Sequence, residues 1–108
     1  MSTESIYISI PITGHDEAAQ RTKAGQISTM LYEMGYDTVI NPFDVYGAWK
    51  KSYKREPTYE EIMQADIAEL LKCTAIYMCE GWSKSLGCMK ERQAVINAGL
   101  EVIYEYGY

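Results

Sequence analysis

Ile6-Tyr7-Ile8-Ser9-Ile10-Pro11 sets how the rest of the chain is read. Its side chains alternate with the period of two that a strand imposes, and Pro11, which has no N–H to give a ladder, ends the run. The loop Pro11-Ile12-Thr13-Gly14-His15-Asp16 follows, with Asp16 placed to cap a helix. From Glu17 to Met34 the spacing is helical, with Ala24, Ile27, Leu31 and Met34 on one face and Gly35 as the C-terminal stop. Asp37-Thr38-Val39-Ile40 then supplies a second strand, stopped by Asn41-Pro42.

The same rhythm continues outward. Thr58 followed by Glu61 is a capping-box pattern and opens a helix to about Lys72, whose expected buried stripe is Tyr59, Met63, Ile67, Leu70 and Leu71. Residues 74–79 form a third strand and residues 80–86 a loop with Gly81 and Gly87 near its ends. Met89 to Ala98 reads as a third helix closed by Gly99, and Glu101-Val102-Ile103-Tyr104 as a last strand. Between Phe43 and Pro57 no clean period is visible, and an irregular excursion or lid is expected. Short strands alternating with longer helices imply right-handed crossovers. The expectation for residues 1–108 is one α/β domain in three layers, flavodoxin-like or Rossmann-like, with a mostly parallel four-stranded sheet and helices on both faces. Ligands of such sheets bind beyond the carboxyl ends of the strands, where residues 11–16, 41–57 and 80–87 fall.

Composition narrows the function classes. Hydrophobic residues make up 47% of the 108 and charged residues 23%, a globular balance. The net charge of −5 repels phosphate backbones, which argues against nucleic-acid polymers and anionic membrane surfaces as partners. A small anion is compatible with that field, because backbone amides and hydroxyls at one site outweigh a diffuse charge. No apolar run approaches membrane-spanning length, the N-terminal stretch Met1 to Ser5 is polar, and three cysteines are an odd number. Reduced thiols and a cytoplasmic location are the expectation. Cys79 and Cys88 lack zinc-ligand spacing and His15 is the sole histidine, so no metal site is expected. Ten tyrosines stand against one phenylalanine, which suits pockets and interfaces and suits equally a thin core built with tyrosine.

Five residues are candidates for chemistry at the predicted crevice. Glu91 falls in the first turns of the third helix, where the helix N-terminus favours its ionised form by roughly 0.3–1 kcal/mol. It reads as a base or nucleophile, or else as a solvated helix glutamate paired with a neighbour such as Lys90 or Arg92. Asp66, between Ala65 and Ile67, lies at the edge of an apolar stripe, either partly buried with a perturbed pKa or at the boundary with its carboxylate in water. Tyr7 lies on the central strand. Ser85 and Gly87 precede the third helix, where a hydroxyl and amides receive an anion or, alternatively, only cap the helix.

Tyr7-Ile8-Ser9-Ile10-Pro11-Ile12-Thr13-Gly14, Asn41-Pro42, Asp66-Ile67-Ala68, Gly81-Trp82 and Ser85-Leu86-Gly87 followed by Glu91 together resemble the nucleoside 2-deoxyribosyltransferase superfamily, which includes deoxynucleoside 5′-monophosphate N-glycosidases. The resemblance runs through nearly the whole chain in order, with residues 43–57 unmatched. It implies that Glu91 is the nucleophile at the anomeric carbon, that Asp66 assists the leaving base by proton transfer, and that Tyr7 holds the nucleophile's carboxylate. It implies substrate contacts from Ser9, Ile10, Thr13, Gly14, Asn41, Ser85 and Gly87, with no metal or organic cofactor. Ser85 stands where nucleoside transferases have aspartate and nucleotide hydrolases have serine, which tilts the expected substrate toward a nucleotide. Two positions depart from the pattern. Ile10 replaces a glycine and Thr13 replaces an arginine, so a phosphate is expected to rest on amides and hydroxyls with no fixed cation.

The expected activity is cleavage or transfer at the N-glycosidic bond of a nucleoside or its 5′-monophosphate, by double displacement, with hydrolysis preferred to transfer. The runner-up is a nucleotide-binding or sequestering module without turnover, for which Ile10 is the argument, and the third reading is an interaction protein with solvated carboxylates. A homo-oligomer, dimer or higher, is expected because the sheet is small and the tail Tyr104-Glu105-Tyr106-Gly107-Tyr108 is rich in tyrosine.

Overall fold

Alternation along β1 (Ser5–Ser9) sends Ile6 and Ile8 to one face of a sheet and Tyr7 and Ser9 to the other, and all four are fully buried. The computed structural model describes residues 4–106. The chain continues through α1 (Glu17–Glu33), β2 (Thr38–Ile40), α2 (Pro42–Tyr53), α3 (Tyr59–Leu70), β3 (Ala75–Met78), α4 (Leu86–Ala98) and β4 (Glu101–Tyr104), with a single 3₁₀ turn at Trp82–Lys84. The strands lie in the order β2-β1-β3-β4 and all three pairings are parallel, with Tyr7 opposite Ile40 and Ile76, and Ser9 opposite Met78. The expected mostly parallel sheet is thus wholly parallel among the described strands, in a three-layer α/β fold. The chain steps outward from β1 to β2 and then returns past β1 to β3. The winding therefore reverses between β1 and β3, the place where such sheets open a crevice.

Each face has its own core. Ile6, Ile8, Ala75 and Tyr77 pack with Ala24, Ile27 and Leu31 of α1 on one side. Tyr7, Ile76 and Met78 pack with Leu70 of α3 and with Cys88 and Val95 of α4 on the other. Apolar stripes at helical spacing meet strands buried on both faces, as a parallel sheet requires.

The helix ends follow the side chains that satisfy them. The Asp16 carboxylate accepts from the Ala19 N–H at 2.9 Å, as expected of the α1 cap. At α3 the capping box is complete: Thr58 Oγ1 accepts from the Glu61 N–H at 3.1 Å, and Glu61 accepts from the Thr58 N–H at 2.9 Å. Gly99 ends α4 with φ of 73°, a left-handed conformation that glycine adopts without steric cost.

Several expectations are corrected. The excursion expected at residues 43–57 is helical over most of its length, because Pro42–Tyr53 is a helix of 12 residues, and only residues 54–57 of it lie outside regular structure. Asn41 caps it, its side chain accepting from the Phe43 N–H at 3.0 Å, and Pro42 at the first position needs no donor there. α4 starts at Leu86 rather than Met89, since the Ser85 hydroxyl accepts from the Cys88 N–H at 3.2 Å and fixes the turn. Met34 lies past the end of α1 and is 61% exposed. The inward stripe of α3 is Met63, Asp66 and Leu70, which turns Tyr59 and Leu71 outward and leaves Ile67 half-buried. Of the tyrosine-rich tail, Gly107 and Tyr108 lie outside the described residues, as do Met1 to Thr3. Tyr104 accepts from Arg92 Nε at 2.8 Å, and its ring packs against Trp82 at 5.6 Å.

Loss of the α3 cap should be measurable. Thr58→Ala is expected to cost about 1 kcal/mol in urea denaturation, with Thr58→Ser near wild type.

Candidate active site

Tyr7 and Ser9, two residues apart on β1, point to the same face of the sheet, toward α4. There they meet Glu91, which is only 5% exposed. The Tyr7 hydroxyl donates to Glu91 Oε2 and the Ser9 hydroxyl to Oε1, both at 2.7 Å. A long side chain from the earlier residue and a short one from the later converge on one carboxylate. Asp66 reaches the same place from the inward stripe of α3, 7% exposed, and its Oδ1 has no hydrogen-bond partner.

Burial governs the electrostatics. It pushes Glu91 up to about 7, against the two hydroxyls that favour its charged form. It pushes Asp66 up to about 8, with the negative charge of Glu91 adding to the rise and the Tyr7 hydroxyl opposing it. Tyr7 itself is raised well above 10 by burial and then by the two carboxylates, so it keeps its proton and acts as a donor. A phenol has one proton to give, and here it goes to Glu91. When one of the two is ionised it is Glu91, which has the two donors, beside a protonated Asp66.

The pair lies in the wall of a cavity of about 660 Å³, within the size range of small-molecule sites. Tyr7, Ile10, Thr13, Asp66, Ser85, Gly87 and Glu91, all singled out in the sequence, line this cavity. Aromatic and apolar side chains also line it, Phe43 and Tyr46 of α2 and Tyr59 and Met63 of α3. Ile10 is 4% exposed and packed into the α1-side core, so its bulk forms wall and does not fill the crevice. A Cβ at Gly87 would stand 3.5 Å from Met63 Sδ, at the close approach of α4 to α3.

Three expected contacts lie elsewhere. Ser9 does not line the cavity, and its hydroxyl is bonded to Glu91. Gly14 turns the first loop with φ of 82° and is not in the wall. Asn41 spends its side chain on the α2 cap and borders a second cleft of about 490 Å³, together with Trp49 and Tyr53. Ser85 keeps both readings: its oxygen accepts from the Cys88 N–H while its hydroxyl proton remains for another acceptor. The amides of Leu86 and Gly87, in the first turn of α4, have no acceptor within the helix.

The sequence reading missed Phe43, Tyr46 and Lys84, all in the cavity wall. Asn41-Pro42 read as a cap and first helical residue, not merely as a strand stop, would have started a helix and put Phe43 and Tyr46 on one face. Lys84 precedes the capping serine and supplies a cation at the site where Thr13 replaces the expected arginine.

A family model described as a domain of unknown function (DUF4406) matches residues 4–104. No curated protein and no solved structure matches the chain.

The buried pair makes stability depend on pH in a definite sense. Unfolded, the two carboxyls release their protons at about 4; folded, they do so near 7 and 8. Between these values the folded protein binds more protons, so the stabilisation is complete below about pH 4 and is lost as pH rises through about 8. Urea denaturation should show stability falling by up to about 1.4 kcal/mol per pH unit for each such proton. Asp66→Asn should remove roughly half of the fall between pH 5 and 9. An equally steep fall in this variant would mean that Asp66 is ionised in the folded protein throughout.

Proposed function

The chain belongs to the DUF4406 family, and we propose that it cleaves or transfers at the N-glycosidic bond of a nucleoside or nucleoside 5′-monophosphate. One observation carries the reading. Two buried carboxyl groups with unlike partners line one cavity, Glu91 held by two hydroxyls and Asp66 by none at Oδ1. A double displacement needs such a pair.

Glu91 Oε2 forms a bond to the anomeric carbon while the N-glycosidic bond breaks. Its electron pair goes to the base nitrogen, and the base takes the proton of Asp66. Water then attacks the anomeric carbon, the ester C–O bond breaks to restore the Glu91 carboxylate, and Asp66 takes back the proton of the water. Transfer replaces this water by a second base. Tyr7 keeps its proton throughout and, as a donor, stabilises the Glu91 carboxylate. Phe43, Tyr46 and Tyr59 provide flat apolar surface for a base.

Ile10 was the sequence argument for a binder without turnover. Its packing into the core leaves the cavity open, which favours catalysis over mere sequestration. Lys84, Ser85 and the first-turn amides of α4 favour the monophosphate over the nucleoside.

Base release from a set of ribo- and deoxyribonucleosides and their monophosphates tests the activity. The rate is expected to follow a bell in pH with limbs near 7 and 8, since Glu91 must be ionised and Asp66 protonated. Glu91→Gln should abolish release while leaving binding nearly intact, a loss in kcat rather than KM. Wild-type turnover in this variant would remove Glu91 as nucleophile.

Calorimetric titration tests the anion site. A monophosphate is expected to bind about tenfold more tightly than its nucleoside, near 1.4 kcal/mol. Lys84→Ala should reduce the preference, and Ser85→Asp should reverse it, since a carboxylate repels phosphate but accepts from a free hydroxyl. Equal affinities in all three proteins would leave Ser85 as a helix cap alone.

A further inference from the structure

We propose that Ser9 is a positioning residue, whose hydroxyl grips one oxygen of Glu91, presents the other to the ligand and favours the charged form of the carboxylate. The inference rests on Glu91 as the nucleophile, but it concerns a residue that does not line the cavity.

Ser9 is fully buried on a central strand, and its backbone is paired with β3. It lies opposite Met78 in β3, and its carbonyl accepts from the Cys79 N–H at 2.9 Å. The hydroxyl therefore has little freedom, and its 2.7 Å bond to Oε1 sets the rotation of the carboxylate. Glu91 and Tyr7 line the cavity while Ser9 does not, so Oε2, on the Tyr7 side, is the oxygen turned toward a ligand. A ligand in the cavity meets Tyr7 but not Ser9, so the Ser9 bond is the sheltered one of the two. Oε1 remains an acceptor for Ser9 both as part of a carboxylate and as the carbonyl of an ester, so this anchor persists through both steps of a displacement.

The hydroxyl also opposes the effect of burial on the charge of Glu91. The ionisable groups near Glu91 come from every packed element: Tyr7 from β1, Asp66 from α3, Cys79 after β3 and Cys88 on α4 itself. Burial raises Cys79 to about 12 and Cys88 to about 11, and it raises Tyr7 well above 10. Between pH 5 and 9 the response of the site thus belongs to Glu91 and Asp66. Removing the Ser9 hydroxyl withdraws one of the two donors to Glu91, and its proton should be held more tightly.

The decisive measurement is the titration of the Glu91 carboxyl by carbon-13 NMR in wild type, Ser9→Ala and Ser9→Cys. Charge-assisted donation predicts an upward shift of about one pH unit in Ser9→Ala. Ser9→Cys, which keeps a weaker donor, should fall between. In base release the acid limb should move up by the same amount with KM unchanged. The loss of rate, on the order of tenfold at pH 6, should shrink as pH rises. A Glu91 titration that does not move in Ser9→Ala overturns the proposal, as does a loss of rate that is uniform in pH. The NMR readout needs no turnover. A shift in Ser9→Ala with no base release from any substrate would therefore support the positioning role while removing the glycosidic reading.

Discussion

A carboxylate enclosed by protein costs several kcal/mol unless its oxygens find donors, and Glu91 finds them in two hydroxyls from one strand. Much of the architecture serves that contact. The period of two along β1 places Tyr7 and Ser9 on the same face, and the parallel pairing with β3 holds Ser9 in the middle of the sheet. The Ser85 cap sets where α4 begins, and so how far along it Glu91 meets those hydroxyls. The α3 capping box fixes the turn from which Asp66 faces inward, two turns later.

The two carboxyls differ in partners rather than in burial. Glu91 has a donor on each oxygen, whereas Asp66 Oδ1 has none, and the second group therefore keeps its proton to higher pH. This asymmetry is local. The net charge of −5 is spread over a surface with ion pairs such as Arg55 with Glu61 and Lys50 with Glu56, all at least a third exposed and each worth little to stability. An acidic protein can still present a cation where it matters, as Lys84 does at the rim of the cavity.

Most of the fold could be read from residue order. β1, α1, α3 and β4 fall within a residue or two of their expected places, because alternation, capping signals and glycine stops agree there. α2 was illegible as a period, since Gly47, Trp49, Lys50 and Lys51 blur its faces and only Pro42 and Phe43 are buried. It was legible as chemistry, in an asparagine followed by a proline. At the site, Ser85 and Glu91 could be placed from the pattern, because strand ends and helix starts of a parallel sheet share one edge. Tyr7 within β1 and Asp66 midway along α3 are grouped with them by the resemblance, and all four line one cavity. The place of Ser9 could not be read that way. Whether a short hydroxyl faces ligand or carboxylate depends on how closely α4 packs on the sheet, which no local pattern encodes.

α2 has open space on both sides. The larger cavity runs along Phe43 and Tyr46, and the second cleft runs along Val45, Trp49 and Tyr53. Pro42 and Phe43 anchor its start, and beyond its last turn Glu56 takes the Tyr46 hydroxyl and the Lys50 ammonium. Along its length it packs on α3, and the Arg55 guanidinium lies over the Trp49 ring. α2 is thus a partition, with Phe43 and Tyr46 toward the larger cavity and Trp49 and Tyr53 toward the smaller cleft. A tilt of such a partition widens one space only by narrowing the other.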